Sequence, residues 1–350
     1  MVNSAEDLTK YGISVLSPIS MNFTRPRSFS LSLLIVICGC AAILFASIAS
    51  ADRSPLLGWV QLSPTNSPSA RSYLAMTYDP VSGKIIMFGG FDGNGYLNDT
   101  WEFDGVTWTQ VTTNTPLPVR AAAQMAYDSV TQKVVLYGGF NGNYLGDTWL
   151  WDGATSQWTQ ATPTHHPPAV TGPMLFPDPN GRVDYFGGFD GQFYQLTMWQ
   201  WNGSDWTQLS PPTVPFARSS AAVATNTVTG QVVMFGGLAD VNPINTWTYD
   251  GTTWTLQSPR SQLPWVYGAG AAYHPLLSSV VVFGGGNGGV DQDSTWKWYG
   301  SIADWRPFFS AQRPSAREGH GMTYDPALHH AIVFGGQDDN EVPLNDTWEL

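Results

Sequence analysis

Charge is scarce in this chain, and positive charge is scarcer still. Of 350 residues only 12% are Asp, Glu, Lys or Arg; 15 bases, of which just 4 are Lys, stand against 27 acids, for a formal net charge of −12. A basic, salt-sensitive grip on nucleic acid does not fit that balance, so no nucleic-acid partner is expected. Cysteine is limited to Cys38 and Cys40, both inside one amino-terminal apolar stretch. Without that stretch the chain has no disulfide, thiolate metal site or cysteine nucleophile. Low charge with many aromatics excludes a disordered polymer, and the helix-forming residues are too few for a coiled coil. What is abundant is 16 Trp, 17 Phe, 14 Tyr, 36 Gly and 25 Pro. That mixture indicates many short strands joined by tight turns.

The apolar stretch runs from Leu31 to Ala51, after Arg25 and Arg27, and ends in Ala49, Ser50 and Ala51. Basic, then apolar, then Ala-x-Ala is the order of a secretory signal, so residues 1–51 are expected to be an extension and signal peptide and the mature chain to start at Asp52. Met21 offers an alternative start that gives a signal of more ordinary length. Export to the periplasm or beyond follows as an expectation. The alternative is an uncleaved anchor, since 21 mostly apolar residues can cross a bilayer.

Residues 52–350 are expected to form one domain, because they repeat. An aromatic residue followed by Gly-Gly recurs at Gly89, Gly138, Gly187, Gly236, Gly284 and Gly335, at intervals of 49, 49, 49, 48 and 51. In step with it run Trp101, Trp149, Trp199, Trp247, Trp296 and Trp348, and a third set, Trp59, Trp108, Trp158, Trp206, Trp254 and Trp305. One period reads as four strands, A to D: Ala75–Asp79, the turn PVSG, KIIMF into the doublet, DTWEF, the turn Asp104-Gly105, then TWTQV. Strand A is biased to Ala, Gly and Ser, as in AAAQMAY and YGAGAAY, which suits strands converging on a crowded axis.

These marks, an aromatic-Gly-Gly ending strand B with a Trp in strand C and another in strand D, resemble the kelch repeat over residues 58–350. The resemblance implies an all-β, six-bladed β-propeller of four-stranded antiparallel blades. The first mark is a D-type Trp59 and the last a C-type Trp348, so the amino-terminal strand is expected to complete the blade built from residues 318–350 and close the ring.

In an up-and-down blade the D–A and B–C connections share one face, and they are the longer, more variable ones. The ligand is expected there: a protein, a peptide or a glycan. Eighteen residues before the doublet the D–A loop carries Arg71, Arg120, Arg218 and Arg317, with Ala169 and Val266 at that spacing in blades three and five. The arginines read either as a ring of guanidinium groups for acidic ligands or as ties between loop and neighbouring blade. In some kelch proteins arginines from this region bind acidic peptides. The B–C loops FDGNGYLNDT, FNGNYLGDT and FDGQFYQLT add Tyr96, Tyr144 and Tyr194, suited to stacking and hydrogen bonding, or to packing behind Phe91, Phe140 and Phe189. Trp265 stands outside the repeat, and His320 faces either the channel or a blade core; both join the candidate contacts. Trp151, Trp201 and Trp298 are expected to pack.

No cofactor and no metal site is expected. The acidic loop around Asp338 and Asp339 lacks the alternating carboxylates of a calcium loop, and the pairs His165-His166 and His329-His330 point apart in an extended chain. Copper radical oxidases that share this propeller need a Cys crosslinked to Tyr, which a mature chain from Asp52 would not have. Asp-Gly followed by x-Thr-Trp, as in DGVTW, differs from the sialidase Asp box, which has a residue between Asp and Gly. The principal expectation is therefore an exported, monomeric binding module without a catalytic centre. The alternative is a sugar-acid mutarotase with a general acid or base, Glu318 or His320, near the ring arginines.

Overall fold

The computed structural model describes residues 58–240 and 243–350; the predicted signal or anchor segment lies outside them. Six four-stranded antiparallel sheets follow one another around a central axis. Blade one holds β2 (Ala75–Asp79), β3 (Lys84–Phe88), β4 (Thr100–Phe103) and β5 (Trp108–Val111), and blade two β6 (Gln124–Asp128), β7 (Lys133–Tyr137), β8 (Thr148–Asp152) and β9 (Gln157–Ala161). Blade three is β10 (Met174–Pro177), β11 (Val183–Phe186), β12 (Met198–Trp201) and β13 (Trp206–Leu209), and blade four β14 (Ala222–Thr225), β15 (Val232–Phe235), β16 (Thr246–Tyr249) and β17 (Trp254–Leu256). Blade five comprises β18 (Gly270–His274), β19 (Ser279–Phe283), β20 (Thr295–Tyr299) and β21 (Asp304–Phe308). Blade six takes β22 (Gly321–Asp325), β23 (His330–Phe334) and β24 (Thr347–Glu349) from one end of the ring and β1 (Val60–Leu62) from the other. The pairing of Val60 with Glu349 and of Leu62 with Thr347 is the closure expected from the tryptophan register.

Six apolar clusters fill the wedges between blades, and the D-strand tryptophans are their largest members. A buried indole N–H needs an acceptor. Trp158 Nε1 donates to Thr100 Oγ1 of the preceding blade at 2.9 Å, and Trp59, Trp108, Trp206 and Trp305 donate likewise to Thr295, Thr347, Thr148 and Thr246. Met198 stands where that threonine would be in blade three, so Trp254 faces its sulfur at 3.4 Å. The repeat thus supplies both halves of an inter-blade tie: Trp in strand D and the Thr before Trp in strand C. Trp151, Trp201 and Trp298 pack on Trp158, Trp206 and Trp305 with ring centroids 5.2–5.3 Å apart.

The glycine doublets have a steric cause. Gly89 holds φ +65°, and a Cβ there would meet the Arg120 carbonyl oxygen at 2.6 Å. The next blade therefore approaches as closely as it does only because this position has no side chain.

Candidate binding face

The four arginines are not a guanidinium ring. All are buried to 0–1% exposure and turned into their own blades. Arg120 donates from Nη1 to the Gly138 carbonyl at 3.0 Å, from Nε to the Pro118 carbonyl at 3.3 Å, and from both Nη atoms to Asp147 at 2.7 Å. Arg71 binds Gly89 and Asp99 in the same way, and Arg317 binds Gly335 and Asp346. Meanwhile the backbone of Arg120 bonds the preceding blade, through Leu97 O and Gly90 N. Each arginine is a rivet, backbone to one blade and side chain to the next, and no guanidinium is free for an acidic ligand. Burial alone would raise the carboxyl of Asp147, but the arginine hydrogen bond and charge, with the Trp149 N–H, hold it below the ordinary range. Arg218 is the exception, because its partner is the neutral Asn245 at 3.3 Å; burial pushes this guanidinium down to about 10.

Blade three departs from this pattern one residue later than the spacing suggests. Val170, not Ala169, makes the backbone bonds that Arg120 makes in blade two, and the Tyr185 hydroxyl takes over the Gly187 carbonyl. The sequence marks the two exceptional blades at a second position as well. Where Arg is replaced by Val170 or Val266, the acid before Thr-Trp is replaced too, by Thr197 or Ser294.

Two residues beyond each rivet lies a position with φ between +52° and +63°: Tyr73, Ala122, Gly172, Ser220, Gly268 and Gly319. Each N–H donates to the carbonyl of its predecessor, and Tyr73 donates to Gly319, so six bonds of 2.6–2.9 Å form a closed circle. The small residues that the sequence places near the axis serve this hub. Below it the lumen widens to about 860 Å³, lined by Met76, Met125, Met322 and, towards the A–B turns, Tyr78, Tyr127 and Tyr324. His320 lies beside the hub in the wedge between blades five and six, where its Nε2 accepts from the Gly270 N–H at 3.1 Å and its ring meets Phe283 at 5.3 Å. Burial, helped by the nearby Arg317 charge, pushes His320 down to about 3, so at physiological pH it is a neutral imidazole rather than an imidazolium acid. The sequence cluster Arg317, Glu318 and His320 disperses: one side chain enters its blade, one the face and one the wedge.

The B–C tyrosines do come together. Phe91 and Tyr96 are 5.5 Å apart, Tyr96 meets Phe140 of the next blade at 5.9 Å, Phe140 meets Tyr144 at 5.0 Å, Tyr144 meets Phe189 at 6.1 Å, and Phe189 meets Tyr194 at 5.0 Å. Six half-buried rings make one continuous ladder over three blades. Around this face stand Phe193, Phe216 and Phe309, 61%, 63% and 83% exposed. The exposed large apolar residues of the opposite turns, such as Val106 and Val228, are aliphatic.

The other half of the face is acidic and polar. Tyr73 donates to Glu318 Oε1 at 2.6 Å, and Gln337 Nε2 to the same oxygen at 3.1 Å. Burial, then the charge and hydrogen bonding of Glu318, raise the Tyr267 hydroxyl to about 12, although Glu318 Oε2 meets no donor in ordinary geometry. Burial, then the charges of Glu318, Asp339 and Asp338, raise Asp291 to about 7. Trp265, unassigned by the repeat, donates to the Gly237 carbonyl at 2.7 Å and packs on Tyr267 at 5.6 Å. Tyr73 and Tyr267 were not singled out from the sequence, since neither belongs to a recurring motif.

Residues 45–188 match the family model described as the KLHDC2/KLHL20/DRC7 Kelch-repeats domain. That match and the six-bladed ring of four-stranded blades together support a kelch-repeat propeller. A comparison with curated proteins returned no match.

Proposed function

We propose that this chain is an exported interaction module that captures a protein ligand on the face formed by its D–A and B–C loops. The kelch propeller is a fold consistent with protein interaction, and the observation that carries the assignment to this face is the aromatic ladder from Phe91 to Tyr194. Half-buried aromatics held by their neighbours lose little entropy on binding, which suits them to anchor a partner. The ladder favours protein over glycan because Phe140 is covered by a ring on each side, Tyr96 at 84° and Tyr144 at 54°, leaving no flat platform for a sugar. Export rests on the order of charge and apolarity in residues 25–51. Against the enzyme alternative, Glu318 is bonded to Tyr73 and Gln337 rather than to an arginine, and His320 is buried and weakly basic, with its Nε2 taken by the Gly270 N–H.

The test is to probe peptide and glycan arrays with the full chain and with a Tyr96→Ala/Tyr144→Ala variant of unchanged melting temperature. Peptide binding that falls in the variant supports the assignment. Binding to glycans alone, or peptide binding indifferent to the two changes, overturns it.

A further inference from the structure

Three side chains break the sixfold pattern at the same place. At the position of Glu318 the other blades have Ser72, Ala121, Thr171, Ser219 and Tyr267; at the position of Tyr73 they have Ala122, Gly172, Ser220, Gly268 and Gly319. Glu318, Tyr73 and Tyr267 thus fill with polar atoms a mouth that the repeat keeps small, and Tyr73 does so from a left-handed backbone unusual for a bulky residue.

The cluster has charge without compensation. Asp291 Oδ2 is buried and accepts no hydrogen bond, and buried Glu318 Oε2 has only the Tyr267 hydroxyl beside it, outside ordinary hydrogen-bond geometry. Among the described residues no Lys, Arg or His is ion-paired with Glu318, Asp291, Asp338 or Asp339: the nearby Arg317 is turned to Asp346 and Arg313 to Asp293. A buried carboxylate oxygen left bare is unfavourable unless a donor arrives. The net charge of −12 has the same sign, so it steers cations inward rather than away. The ladder begins beside this cluster, since the B–C loop of blade one reaches Pro343 of blade six at Gly93.

We propose that the acidic half of the face receives a Lys or Arg side chain of the protein partner, between Glu318 and Asp291, while the residues flanking that cation lie along the Phe and Tyr ladder. This rests on the assignment of the face to a protein ligand and fixes the partner's charge, the opposite of what exposed arginines would have selected. A guanidinium or ammonium supplies the donors that the two bare oxygens lack, and the tyrosine hydroxyls offer it further acceptors. Apolar neighbours of the cation bury their surface on rings already ordered.

The experiment uses immobilised peptides matched in length and aromatic content, with Lys, Gln or Glu at alternate positions, and the full chain in solution. The Lys set is expected to bind best, and Glu318→Gln with Asp291→Asn to weaken it by about tenfold or more, as loss of a desolvated charge pair does. Asp104→Asn with Asp250→Asn, in turns on the opposite face, is the control for net charge and should leave the preference intact. Peptides that bind through the ladder without favouring Lys, or a Lys preference that survives Glu318→Gln/Asp291→Asn, overturn the cationic partner and leave the protein-binding face standing. Failure of every peptide set overturns both. Melting curves of each variant show whether it has folded, and Glu318→Gln keeps the bonds from Tyr73 and Gln337 that hold the loop.

Discussion

An arginine in a sequence announces a charge but not where its guanidinium points. Arg71, Arg120, Arg218 and Arg317 recur on the loops where a ligand is expected, yet each is enclosed by its own blade. Arg120→Ala should destabilise the protein by about 3 kcal/mol, because it strands Asp147 and the Gly138 carbonyl. Its effect on ligand binding should be no larger than the loss of folded protein, as denaturant titration alongside binding will show. The reverse change is open at blade four. Asn245→Asp would give Arg218 the carboxylate its counterparts have, and give the unpartnered Trp247 Nε1 the acceptor that Asp99, Asp147 and Asp346 give theirs. A gain of about 1–2 kcal/mol at neutral pH is expected. The new carboxyl would be depressed by Arg218, so the gain should be present at neutral pH and vanish as pH falls through the folded-state pKa. A denaturation midpoint no higher than that of the parent would refute it.

Along the strands, the sequence is nearly transparent. Strands B and C of blade one, and the turn between C and D, can be placed from KIIMF-Gly-Gly, DTWEF and Asp-Gly alone, because aromatic, glycine and turn residues each have one place where they fit. What stays hidden is any contact made across blades far apart in sequence. Tyr73 and Glu318 are separated by 245 residues and meet only because blade six abuts blade one. Asp184 on β11 is hidden likewise: it reads as one polar residue in VDYF, but it is fully buried between Phe176 and Gln200 in register. Burial raises it to about 8, with the charge of Asp178 adding to the effect. The folded protein keeps a proton that the unfolded chain releases near pH 4, so stability should fall as pH rises from about 4 to about 8. Asp184→Asn should remove that slope and melt higher than the parent at pH 8; equal slopes in both proteins would exclude this account.

The molecule as a whole depends on a three-residue strand. β1 completes blade six, and Trp59 drives the latch home through Phe283 at 5.1 Å and Thr295 at 2.9 Å. Trp59→Ala should cost about 3–5 kcal/mol and expose blade six first, which limited proteolysis with mass spectrometry can locate between residues 318 and 350. Cleavage appearing first in blades two to four would contradict that order.

The circle of six backbone bonds at the hub has an electrostatic consequence. Each N–H···O=C unit has a dipole, but six of them running head to tail around a closed path sum to nearly nothing along the axis. Unlike a helix end, which presents the partial charges of its unmatched amides to any approaching ion, the hub presents almost no field of its own. The potential at this mouth is therefore written by side chains alone. Glu318 and Asp291, with Asp338 and Asp339 near them, set its sign, and two substitutions remove its most buried part without touching the backbone frame.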